Sequence, residues 1–235
     1  MFYSQGSVYA ESLAKAVRLA AKSSQGQVIS HQPAFNLASD RFDGNAALKQ
    51  AKAQGATVVV LIPDAGVGLY NAIPNALRVI KENNEQFWLI GGDSLYSADL
   101  LKSDQILSST GIERTTLAIA WHPLNDINSQ FLQQAQTLWK IDQKSLSSNT
   151  DITWRTATSY DAVLVLSAAL KRKPSRSGIQ QTLSMAEFAV TGVTGIIRFT
   201  QSDRRDSKIT MVQVSRKCNS SSFVFTLSDR PLKCS

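Results

Sequence analysis

The chain has 235 residues, 43% of them hydrophobic and 18% charged, enough apolar material for one large domain or two small ones. Its formal net charge is +7, yet Lys and Arg are scattered singly except in "LKRKPSR" (170–176) and "SDRRDSK" (202–208). Neither block interleaves aromatics for base stacking, so no nucleic-acid partner is expected, and no apolar run of 18 residues offers a membrane span.

The opening "MFYSQGSVYAES" turns polar at once and lacks a basic region, so it does not read as a secretory signal; export would require a leader upstream. "FY" reads as a strand end. Ser7 is placed to cap a helix running to about Lys22, with Leu13, Val17 and Ala20 or Ala21 on one face. "GQVIS" reads as a short strand. "FDGNAALKQAKAQG" reads as a helix stopped by Gly55, and "ATVVVLIP" as a β-branched strand buried on both faces. A helix near 68–83 follows, where Pro74 predicts a kink or a late start near Ile73. The strand "QFWLIG", a short helix near 96–103 and the strand "TTLAIAW" complete the alternation. Strand and helix in turn over short connections predict a parallel sheet covered on both faces, an α/β architecture.

From about Pro123 the pattern changes. "LNDINSQFLQQAQTLWKI" and "TWRTATSYDAVLVLSAALKR" predict amphipathic helices, and a third short helix is expected over 175–186. No convincing strand precedes "GIIRFT" and "KITMVQV", so these helices lack a sheet of their own. The two cysteines, Cys218 and Cys234, close a loop around a short alternating strand; a bridge between them would add about 3 kcal/mol and place the chain in an oxidising compartment. The alternative is two unrelated thiols. Only two histidines, His31 and His122, are present and CxxC spacing is absent, so no metal site and no cofactor are expected.

In an open parallel sheet, ligands sit beyond the carboxyl ends of the strands, where strand order reverses. The turn from Gly6 to Tyr9, Asp64 after "VVVLIP", and Asp93 after "FWLIGG" all follow such ends and should face one crevice. Two carboxylates there could serve as an acid–base pair, but no set of nucleophile, base and orienting group accompanies them. A phosphoacceptor reading of Asp64 lacks the acidic cluster it needs after the first strand, which ends in "YSQGS". A rim carboxylate can instead pair with a ligand ammonium, and a tyrosine beside it offers a ring face and a hydroxyl. On pattern alone Asp93 fits ligand contact and a cap on the next helix equally. Local packing is the simpler reading of Tyr9 and Asp64. Trp121 and His122 end a strand near a candidate hinge, where edge packing is the simpler reading.

"SQGSVYAESLAKA", "GGDSLYSADLL", "TATSYDAVLVLSAAL" and "GVTGIIRF", in that order, resemble the branched-chain amino-acid-binding family, the type I periplasmic solute-binding proteins of ABC importers. The resemblance runs from residue 1 to about 214. It implies two α/β lobes joined by crossover strands that close on a small amino acid without chemistry. It also implies that Tyr9 contacts the ligand, that Asp93, followed by Ser94, takes the ligand ammonium, and that Asp64 and Ala65 line the pocket. The implied organisation is an α/β lobe over 1–123, returning helices of the other lobe over 124–198, crossover strands over 199–215, and a C-terminal extension over 216–235. Most of the first lobe, with the hydroxyls and amides that hold a ligand carboxylate, would precede this chain. The expected function is non-catalytic capture of an amino acid or related zwitterion, with a hinge near 121–124 and 199–203. The partner would be an ABC permease, and the location periplasmic or extracytoplasmic within a longer exported product. The alternative is a ligand-sensing or partner-binding receptor domain of the same fold.

Overall fold

The computed structural model describes residues 1–30, 33–66, 68–102, 110–148, 151–199 and 208–232. The chain divides into two compact units, one of Met1–Ala118 with Met211–Ser235 and one of Ile119–Thr210.

The first unit is built on a six-stranded sheet. Its strands are β1 (Phe2–Tyr3), β2 (Val58–Ile62), β3 (Trp88–Gly91), β4 (Thr115–Ile119), β7 (Thr210–Arg216) and β8 (Phe223–Leu227), neighbours in that order. β1 to β4 run parallel, with Tyr3 opposite Ile62 and Leu61 opposite Gly91. β8 pairs antiparallel with β7, Val214 opposite Phe225, so the sheet is mixed rather than wholly parallel. The tail over 216–235 therefore supplies a core strand, not only an extension: all five residues of β8 are buried, and Phe225 stacks on Tyr96 at 4.2 Å.

Helices cover both faces because alternate residues of each strand point to opposite sides. Tyr3, Val60 and Ile62 pack under α1 (Val8–Ser23), against Ala10, Leu13, Ala14 and Val17. On the other side Phe2 stacks on Phe35 at 4.6 Å and meets Phe42 edge-on at 6.4 Å, just before α2 (Gly44–Ala53). α2 ends as expected, with Gly55 at φ +77° one residue beyond its cap. α3 (Ala72–Glu82) starts late, which leaves Pro74 in its first turn, where the missing N–H costs nothing. A short α4 (Ala98–Lys102) follows β3.

"GQVIS" (26–30) is not a strand. The backbone there is irregular, the Met1 ammonium donates to the Ile29 carbonyl at 2.6 Å, and β1 bridges instead to Asn36, with Leu37 N donating to the Tyr3 carbonyl at 3.1 Å. β1 spans two residues, too few to carry a second full ladder on that flank. The strands β1 to β4 therefore follow one another in chain order, with β1 at the edge of the sheet and a single bridge to Asn36 on its outer side, so the expected reversal of strand order beside β1 is not formed by full strands.

The second unit is helical: α5 (Gln130–Trp139), α6 (Trp154–Arg172) and α7 (Arg176–Leu183), with an antiparallel hairpin of β5 (Val190–Gly192) and β6 (Gly195–Ile197). The sequence pattern missed β5, which is only three residues long. Thr153 and Thr156 form a capping box that starts α6. Asp161, buried on α6, accepts from Val193 N at 2.6 Å, Thr194 N at 3.1 Å and the Thr194 hydroxyl at 2.6 Å, which fixes the hairpin turn to the helix. No helix among the described residues is long and apolar enough to cross a membrane.

Candidate functional site

Three loops leave the carboxyl ends of β1, β2 and β3, and hydrogen bonds tie them into one rim. Gly6, at φ +86°, makes the turn after β1 in a conformation that a side chain disfavours. Its N–H donates to Glu11 Oε1 at 2.9 Å. Ser7 then caps α1, accepting from Ala10 N at 3.1 Å while its hydroxyl donates to Asp64 Oδ2. Asp64 is held from two further directions: its backbone N–H donates to Ser4 Oγ at 2.9 Å, and its Oδ1 accepts from Gly66 N at 3.1 Å.

The third loop carries Asp93. Its Oδ1 accepts from the Tyr9 hydroxyl at 2.6 Å, a contact across 84 positions of sequence. That carboxylate does not cap α4, which begins five residues later at Ala98. Ser94 donates to the Pro63 carbonyl at 2.7 Å and so ties the β3 loop to the β2 loop. Gly92 lies close to this contact: a Cβ there would stand 3.3 Å from the Tyr9 hydroxyl oxygen.

Tyr9, Asp64, Asp93 and Ser94 thus meet on one edge of the first unit. Tyr9 is 38% exposed and Val8 beside it is 87% exposed; Asp64, Asp93 and Ser94 are half-buried, and Ala65 is exposed. Partial burial raises the Tyr9 phenol well above its usual range, the Asp93 carboxylate adds to this, and Asp64 contributes more weakly. The phenol is therefore a neutral, permanent donor at working pH. Sequence reasoning placed Ser7 only as a cap and did not single out Ser4, which is fully buried. A serine at the strand end followed by another three residues on was the available signal.

The other residues singled out lie elsewhere. Trp121 and His122 are buried in the second unit, Trp121 edge-on to Phe131 at 5.7 Å. His122 Nδ1 accepts from Leu124 N at 3.1 Å, and burial lowers its pKa to about 4. Of the second hinge segment, 199–203, only residue 199 is among the described residues. In "LKRKPSR" the cations are exposed, and Arg172 lies over the Phe188 ring at 5.2 Å. "SDRRDSK" lies outside the described residues except for Lys208. Cys218 is disulfide-bonded, and Cys234 lies outside the described residues. Among the described residues no group of three or more His, Cys, Asp or Glu side chains is placed to hold a metal ion.

No protein-family model and no curated protein matches the sequence. Solved structures do match the fold. An ABC transporter substrate-binding protein from Aeropyrum pernix superposes with a TM-score of 0.62 at 13% identity, over 90% of this chain and 54% of its own. A solute-binding protein of an ABC transporter from R. palustris, in complex with benzoate, gives 0.60 at 12% identity, over 97% and 58%. One from Desulfitobacterium hafniense, in complex with Leu, gives 0.56 at 17% identity, over 96% and 58%. The chain thus spans a little over half the length of these substrate-binding proteins and has their α/β periplasmic-binding-like fold.

Proposed function

We propose that the chain is a non-catalytic solute-binding module for amino acids or related small solutes, whose ammonium docks on Asp93 beside the Tyr9 ring. The observation that carries this reading is the Tyr9–Asp93 hydrogen bond on the rim at the carboxyl ends of β1 to β3, next to a second fixed carboxylate, Asp64. A carboxylate and an aromatic face at such a rim can hold an ammonium by charge-assisted hydrogen bonding and by attraction to the ring. The fold's solved neighbours are substrate-binding proteins of ABC transporters, which supports capture over turnover. Within this reading Ala65 and Ser94 line the pocket. The captured solute passes to an ABC permease, and the setting is periplasmic or otherwise extracytoplasmic. A Cys218–Cys234 bridge around β8 fits that oxidising location.

Thermal denaturation in the presence of each common amino acid tests the proposal. A ligand at ten times its dissociation constant adds about 1.4 kcal/mol to stability. At least one amino-bearing ligand should raise the midpoint of the parent chain, and the gain should disappear in Asp93→Asn. A gain that survives in Asp93→Asn would remove the ammonium site from Asp93.

A further inference from the structure

The hydrogen-bonding inventory of the rim is one-sided. Three of its four hydroxyls donate inward to protein acceptors, Tyr9 to Asp93, Ser7 to Asp64 and Ser94 to the Pro63 carbonyl, and the fourth, Ser4, is buried and accepts from Asp64 N. Two of its backbone donors are also engaged, Gly6 N by Glu11 and Gly66 N by Asp64. The carboxylates keep acceptor capacity, since each ionised oxygen can take more than one hydrogen bond. No Lys or Arg occurs in the rim segments 4–9, 63–66 and 92–95, although the whole chain carries +7. In a chain with an excess of cations these segments therefore set two carboxylates around one phenol and contribute no cation of their own. The fields of both acids reach the Tyr9 phenol and help keep it protonated. Its partly exposed ring, with the exposed Val8 beside it, adds a face that also favours a cation with an apolar body.

We infer that this rim selects net-cationic amines, such as amino amides and diamines, over neutral zwitterions, with Asp93 taking the ammonium and Asp64 setting the charge preference. The inference rests on the reading of the crevice as a solute site and narrows its ligand class. A free α-carboxylate brought to this rim meets two like charges, and the rim hydroxyls are already committed. Replacing that carboxylate by an amide keeps the ammonium and the side chain and removes the repulsion.

Calorimetric titration of the full chain with three ligands of one skeleton decides the point: leucinamide, leucine and isocaproate, which are cation, zwitterion and anion. Leucinamide should bind at least tenfold more tightly than leucine, and isocaproate should give no heat of binding. Asp64→Asn keeps the shape of the side chain and should bring leucinamide and leucine within about threefold, a difference below roughly 0.7 kcal/mol. Asp93→Asn should weaken both. If leucine binds the parent chain as tightly as leucinamide while Asp93→Asn still weakens it, the charge preference is overturned and the solute site stands. If neither amine binds, or if both bind unchanged in Asp93→Asn, the solute-site reading falls together with the preference. The comparison of ligands on the parent chain stands whether or not the variants fold.

Discussion

Asp93 and Tyr9 sit in loops that the sheet brings together, and each has a local duty that substitution can separate from binding. Asp93→Asn should leave the fold nearly untouched yet weaken an amine ligand by about 1.5–3 kcal/mol, the range for a hydrogen bond to a charged group. Equilibrium binding together with urea denaturation of the same variant separates the two effects. Gly92→Ala tests the same contact by crowding alone, because the added methyl would stand 3.3 Å from the phenol oxygen. It should shift the Tyr9 ring resonances and weaken ligand binding with little loss of stability.

His122 makes a different prediction. Its folded pKa is about 4, below the ordinary 6.5, because burial disfavours the charged ring. Between those values the unfolded chain binds more protons, so stability is fully present above pH 6.5 and is lost as pH falls toward 4. The group should cost about 2 kcal/mol between pH 7 and pH 4.5. Urea denaturation of the parent and of His122→Gln checks this, since the variant should lose that part of the pH dependence.

At the scale of elements, two close contacts are sharply exposed to mutation. Gly111 lies so near the end of α3 that a Cβ would stand 2.2 Å from the Ile80 carbonyl oxygen, and backbone cannot swing aside as a side-chain tip can. Gly111→Ala should cost about 2–3 kcal/mol, measured by denaturant unfolding. Asp161→Ala would strip the β5–β6 turn of its acceptor and strand the Val193 and Thr194 donors, at about 2–4 kcal/mol. Amide exchange at those two residues should accelerate while α1 stays protected.

These elements also show what was legible in the sequence. "ATVVVLIP" and "QFWLIG" announce strands because β-branched and aromatic residues fit a packed pleat. Gly55 and Ser7 mark helix ends because each supplies what a terminus lacks. "GQVIS" misled because the β-branched Val28 and Ile29 between polar and glycine flanks fit a strand pattern locally, while strand identity depends on a partner and β1 offers only two residues. β8 was read as an alternating strand, yet all five of its residues are buried, with Tyr96 stacked over Phe225. Asp64 and Asp93 could be placed at strand ends from pattern. Their ties to Ser7 and Tyr9 could not, since those bonds span 57 and 84 positions and follow from sheet order alone.

For the whole molecule, the sheet orders the site. Parallel strands bring their carboxyl ends to one edge, β1 to β3 lie side by side there, and the loops that meet at that edge carry acids and no Lys or Arg of their own. The central claim is that a solute ammonium docks at this corner. Mapping backbone amide shifts of the full chain during titration with leucinamide tests it most directly. Shifts should concentrate in residues 4–9, 63–66 and 92–95 and vanish in Asp93→Asn. Shifts confined to the helices of the second unit, or a map unchanged by that substitution, would contradict it.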